Sequence, residues 1–151
     1  MRIVVQRVNS CSVEVNNVII SEIMKGLLLL VGIEETDDQK DIDYLIKKII
    51  NLRVFDDEQG VMNLSINDID GEILSVSQFT LMASTKKGNR PSYIRAAKPD
   101  ISVPLYDKFL QDFSNTLGKE VKNGKFGAEM KVSLINDGPV TIILDSKQKD
   151  F

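Results

Sequence analysis

The chain has 151 residues, 42% hydrophobic and 27% charged, which fits one globular domain that buries its core without metals or disulfides. It holds no histidine and one cysteine, which excludes Ser-His-Asp and Cys-His catalysis, an internal disulfide and the usual tetrahedral zinc site. A net charge of −3 argues against a protein that grips nucleic acid with its whole surface, so any RNA contact must be a local patch.

Ile3 to Val8 is predicted as the first strand, with no small-residue cleavage site after it, so no signal peptide is expected. Ser12–Val15 and Val18–Ile20 form a predicted hairpin closed by Asn16-Asn17, because Asn tolerates positive φ. Gly26 to Ile33 is apolar throughout, as in a strand buried on both faces. Its apolar core, Leu27 to Val31, is the longest such run and falls well short of the roughly 18 residues of a membrane span.

Thr36 with Gln39 reads as a capping box, with Asp37 and Asp38 in the first turn of a helix. Ile42, Leu45, Ile46 and Ile49 follow as its apolar stripe, and the helix is predicted to end near Asn51. Leu52–Phe55 is a predicted strand, Asp56–Gly60 a turn, and Glu72–Ser77 a strand running into Gln78-Phe79-Thr80-Leu81. A second helix is predicted from near Ser102, with Pro104 in its first turn, an apolar face of Leu105, Phe109, Leu110, Phe113 and Leu117, and a stop at Gly118. Met130–Ile135 and Val140–Leu144 are predicted strands separated by Asn136-Asp137-Gly138-Pro139, and residues 146–151 a loose tail. The expected fold is a single α+β domain over 1–151, with a curved, barrel-like mixed or antiparallel sheet and two main helices on one side.

Three segments are candidates for chemistry. Ser77-Gln78-Phe79-Thr80 stands where a buried strand meets a polar loop, so its hydroxyls and amide can line a pocket, although Ser and Thr in strands are mostly structural. Asp137-Gly138-Pro139 is locally a plain turn, which tolerates but does not require a cis bond. Ser84 to Lys98 carries Lys86, Lys87, Arg90, Arg95 and Lys98 with no acid. That run is either a solvated loop or a phosphate-facing edge, with Tyr93 available to stack on a base. Cys11 is a small core hydrophobe, and its being the lone cysteine suits the cytoplasm. No metal or other cofactor is expected.

Taken together, these segments resemble the D-aminoacyl-tRNA deacylase family. The likeness runs through Gln6-Arg7-Val8, Ser12-Val13, Gly26-Leu27-Leu28, Met62-Asn63-Leu64, Arg90-Pro91-Ser92, and Phe126 with Met130. Its most specific pieces are Ser77-Gln78-Phe79-Thr80-Leu81 and Asn136-Asp137-Gly138-Pro139-Val140-Thr141. The resemblance implies a homodimer with active sites at the subunit interface. It implies hydrolysis of the ester joining a D-amino acid, or glycine, to the terminal adenosine of tRNA.

On that resemblance, Ser77, Gln78, Phe79 and Thr80 fall in the catalytic segment, with the Phe79 amide near the ester carbonyl and Thr80 a contested nucleophile. Gly138 and Pro139 fall on a cis pair that reaches in from the partner and rejects L-substrates. Phe126, Met130 and Ala97 fall in the substrate pocket. Two positions depart from the family: Cys11 stands where a small residue such as Ala is expected, and Gly127 where Ala is more usual. A non-catalytic tRNA-binding module and a structural dimer that keeps only the fold are the competing interpretations.

Overall fold

The computed structural model describes residues 1–150; Phe151, the end of the expected loose tail, lies outside the described residues. In chain order the elements are β1 (Arg2–Val15), β2 (Val18–Ile23), β3 (Gly26–Gly32), α1 (Gln39–Ile50), β4 (Phe55–Asp56), β5 (Met62–Leu64), β6 (Glu72–Ser77), a short 3-10 helix (Phe79–Met82), α2 (Pro99–Leu117), β7 (Lys122–Asn123) and β8 (Lys131–Asp145).

β1 and β8 form an antiparallel spine, paired from Arg2 opposite Asp145 to Glu14 opposite Lys131. On its other edge β1 pairs antiparallel with β3 and then with β2. The β3–β6 and β6–β7 pairs are parallel. Parallel neighbours need long crossovers, and α1 and α2 lie within the two connections. The result is the expected α+β domain, a nearly closed, barrel-like mixed sheet with two helices.

Two cores explain the burial pattern of β1. Ile3 and Val5 enter the larger core with Ile42, Leu45 and Ile49 of α1 and Phe109 and Phe113 of α2. The phase changes at Arg7–Val8, and Val8, Cys11 and Val13 enter a smaller core with Ile23, Leu28 and Leu74. Register shifts between Gln6 and Ser10 mark a bulge that re-aims the strand. β3 is apolar throughout because Leu27 and Leu29 face the first core and Leu28 the second. Each fully buried Leu, Ile or Phe contributes about 1.5–3 kcal/mol.

Several local expectations are corrected. α1 is capped by Asp38 and Asp41 in a reciprocal box, not by Thr36 and Gln39. Carboxylates two residues further on outcompete the hydroxyl–amide pair for the free amides. The strand expected at Leu52–Phe55 is reduced to Phe55–Asp56, paired with Met62–Leu64. The chain after Ser77 does not extend the strand but coils into the 3-10 helix.

α2 begins at Pro99, not Ser102, because Pro99 already supplies the favoured first-position proline. Pro104 therefore lies inside the helix, and Ser102 bonds back to the Lys98 carbonyl. Tyr106, absent from the expected face, is buried against Ser75, 3.0 Å between hydroxyls, while Leu105 and Leu110 are only partly buried. The chain does not reverse at Asp137–Pro139: β8 continues through it along β1. Nor is the tail loose at its start. Ser146 is buried and its amide donates to the Met1 carbonyl, and Lys147 Nζ bonds Asp41 at 2.7 Å. No described helix is long and apolar enough to cross a membrane.

Candidate active site

β6 ends at Ser77 beside the end of β3, and the Gln78 amide donates to the Val31 carbonyl at 2.7 Å. That bond fixes where the chain leaves the sheet. The next residues wind into the 3-10 helix, which turns Phe79 outward; its side chain is 57% exposed although it is a large aromatic. The ring is thus left facing solvent at the edge of a cavity.

Behind Phe79 lies a cavity of about 570 Å³. Val31 and Ile33 form part of its floor, with Val76, Ser77 and Gln78 at the β6 end. Ala97, Lys98 and Pro99 contribute from the start of α2, Phe126 and Met130 from the approach to β8, and Val132 from β8 itself. Tyr93 meets Phe79 edge-on at the rim, 5.1 Å between ring centroids. Lys98 is the one charged residue among the described residues of this lining. The cavity thus offers a largely apolar bed with a few polar groups, the usual make-up of a small-ligand site.

The geometry gathers Ser77, Gln78, Phe79, Ala97, Lys98, Phe126 and Met130 around this one cavity. Thr80 is adjacent but does not line it; its hydroxyl accepts from Gln78 Nε2 at 2.5 Å. Among the described residues no lysine or carboxylate is bonded to that hydroxyl. Thr80 therefore lacks the base that a hydroxyl nucleophile requires.

Gly138 and Pro139 stand apart from the cavity of their own chain, both exposed. Their peptide bond is cis. The buried Arg7 holds the preceding residue: its Nε contacts the Asp137 carboxylate at 3.0 Å and carbonyl at 3.2 Å. Its Nη1 donates to the Val54 carbonyl at 2.6 Å and reaches Asp56 at 3.3 Å. Asn136 spans the segment from the other side, accepting from the Val140 amide and donating to Thr141. Gly138 has φ +116, and a Cβ there would come within 2.9 Å of both Arg7 Nη2 and Val140 Cγ2. Only glycine meets both demands.

Arg7 was missed as a site residue, yet its position carried a signal. It occupies the third inward place after Ile3 and Val5, where a charge needs partners to be buried. The basic loop is spread out. Lys86, Lys87 and Arg90 are exposed at its tip, Lys98 reaches the cavity, and Arg95 is paired with Glu34 at 2.7 Å. The pairing reduces the charge the loop can present.

Comparison with known proteins agrees over the full length. The family model for D-Tyr-tRNA(Tyr) deacylase matches residues 4–145. A protein of Bacteroides thetaiotaomicron named D-aminoacyl-tRNA deacylase is 66% identical over 150 residues, covering 99% of this chain and all of that protein. One of the same name from Bacteroides fragilis is 64% identical with the same coverage. Among solved structures, one titled c-Myc DNA Unwinding Element Binding Protein superposes with a TM-score of 0.92 at 44% identity, covering 96% of this chain and 98% of that one. Another, titled as a probable eukaryotic D-amino acid tRNA deacylase, has a TM-score of 0.81 at 17% identity and covers 95% and 97%, a likeness of fold. With nearly every residue matched by the family model and relatives aligned end to end, this chain belongs to the D-Tyr-tRNA(Tyr) deacylase family.

Proposed function

We propose that the protein is a proofreading hydrolase: it cleaves the ester of D-aminoacyl-tRNA, releasing free D-amino acid and tRNA, and also clears glycine mischarged on tRNA-Ala. The observation that carries this is the cavity mouth, where Ser77, Gln78 and Phe79 converge on an apolar chamber with no histidine or carboxylate among the described residues that line it. An aminoacyl ester suits such a site because it is already activated by the neighbouring ribose hydroxyl. The enzyme need only hold it, stabilise the oxyanion and admit water. An amide such as that of Phe79, aimed at the developing oxyanion, supplies about 3–4 kcal/mol, and positioning adds more. With no base bonded to Thr80 among the described residues, the ribose 2′-hydroxyl assists the reaction and Thr80 supports Gln78.

Handedness is read by main chain. In a homodimer, Gly138-Pro139 of one copy faces the cavity of the other, and an L side chain points into that wall. Exposed Phe79 and Ile94 beside the cavity, with Ile135 and Ile143 on β8, supply apolar surface for such a contact. Glycine has no side chain to exclude, so its ester passes the same filter. Lys86, Lys87, Arg90 and Lys98 contact the tRNA backbone, with Arg95 added if its pair with Glu34 opens. The enzyme acts in the cytoplasm without metal or cofactor.

The test is release of labelled amino acid from D-tyrosyl-tRNA and from glycyl-tRNA-Ala by the purified protein. Both should be hydrolysed at a rate proportional to enzyme. Bound but uncleaved substrate would instead favour a non-catalytic tRNA-binding module.

A further inference from the structure

Three residues on neighbouring strands meet under the turn that carries Gln78 and Phe79. Arg2 of β1 lies opposite Gly32 of β3 and opposite Asp145 of β8, so the three form one row across the sheet. The Arg2 guanidinium serves both a carboxylate and a main-chain carbonyl. Its Nε and Nη2 each lie 2.9 Å from Asp145 Oδ2, and its Nη1 donates to the Leu81 carbonyl at 3.2 Å. Leu81 lies within the 3-10 helix, so Arg2 satisfies one of its otherwise unpaired carbonyls.

Asp145 is itself fixed. Its other oxygen accepts from the Lys147 and Gln148 amides at 2.8 and 2.9 Å, and its side chain is almost fully buried. Burial alone would raise this carboxyl, but the two amides and the guanidinium outweigh burial and hold it below its ordinary value. It therefore stays ionised as an anchor for Arg2. Gly32 provides the room. A Cβ there would meet Leu81 Cβ at 2.9 Å, Met82 Cε at 3.0 Å and the Gln78 carbonyl at 3.1 Å. The turn thus rests where a side chain would otherwise stand.

We propose that Arg2, Gly32 and Asp145 are positioning residues for the deacylation: a three-strand seat that fixes the Gln78–Met82 turn and so sets Gln78 and the Phe79 amide at the cavity mouth. This rests on the function proposed above. A planar guanidinium is needed because one group must serve a carboxylate and a carbonyl in different directions, which an ammonium does poorly.

The full-length protein with Arg2→Lys, and separately with Gly32→Ala, is compared with the parent in three readouts: Tm, kcat and KM on D-tyrosyl-tRNA, and the 15N–1H shifts of the Phe79 and Thr80 amides. Arg2→Lys keeps the charge pair with Asp145, so Tm should stay near the parent's. The two amides should shift, KM should stay within about twofold, and kcat should fall about ten- to a hundredfold, the scale of a small misplacement of a catalytic group. Gly32→Ala should shift the same amides and lower kcat in the same way. Unshifted amides with parental kcat in both variants would overturn the proposal. So would an Arg2→Lys variant whose activity falls only in step with lost folded protein. If the parent itself leaves D-tyrosyl-tRNA intact, the functional assignment fails, and the amide shifts still decide whether the seat exists.

Discussion

At the scale of single residues, the chemistry turns on what surrounds each polar group. Thr80 looks like a nucleophile only until its neighbours are counted: its hydroxyl accepts from Gln78, and among the described residues no base is bonded to it. Thr80→Ala should therefore lower kcat by less than about tenfold, whereas a 2′-deoxy terminal adenosine should lose far more, since an unactivated hydroxyl contributes little. Near-total loss in the variant, with normal cleavage of the deoxy substrate, would reverse the two roles. Gly138 gives a second test. Alanine there has both a disfavoured φ and a clash with Arg7 and Val140, so the peptide must reorient. Hydrolysis of L-tyrosyl-tRNA should rise about tenfold or more relative to the D-form, equivalent to about 1.4 kcal/mol of lost discrimination. Unchanged L-rejection would remove Gly138 from the filter.

The elements show which parts of the fold were legible. α1, β3 and β6 could be read directly: α1 shows a 3.6-residue apolar stripe, β3 is a short apolar run between glycines, and β6 is a short segment of strand length after Gly71. The α1 cap was misassigned because Thr36 and Asp38 both satisfy the local rule. Asp37 is drawn elsewhere, bonding the Met1 amine and the Glu34 amide. β8 was cut in two because Gly-Pro signals a turn locally, while its continuity comes from β1 and Arg7, far away in sequence. The cavity was legible only in part: Ser77 to Phe79 and Met130 stood out as motifs, but the roles of Val31, Ser102 and Val132 depend on how strands and α2 converge.

The start of α1 also carries a pH dependence. Burial raises the Asp41 carboxyl, but bonds from Lys147 and the Asp38 amide outweigh it and bring it down to about 2. A depressed carboxyl stabilises the fold above its unfolded value of 3.8 and loses that contribution as pH falls towards 2. Asp41→Asn should cost about 1 kcal/mol at neutral pH, discounted for the solvent reaching Lys147. It should also flatten the acid limb of a Tm-against-pH curve between about pH 4 and 2. An acid limb identical to the parent's would assign that limb to other groups. Asp37 works in the opposite sense: burial raises it, so acid relieves the cost of its charge.

For the whole molecule, one architecture has to do two things. The barrel-like sheet and two helices hold the cavity open behind Phe79, and the same β8 presents Gly138-Pro139 on an exposed edge away from it. Gly138-Pro139 does not line the cavity of its own chain, and on the function proposed above a second copy supplies it. Selectivity should then be a property of the assembled dimer and largely independent of which D side chain is carried. The most direct measurement is the pair of initial hydrolysis rates for D-tyrosyl-tRNA and L-tyrosyl-tRNA under one set of conditions. The expected result is rapid release of D-tyrosine with the L-ester cleaved at least about a hundredfold more slowly, a difference of about 2.7 kcal/mol. Equal rates for the two mirror forms, or no cleavage of either, would contradict the account.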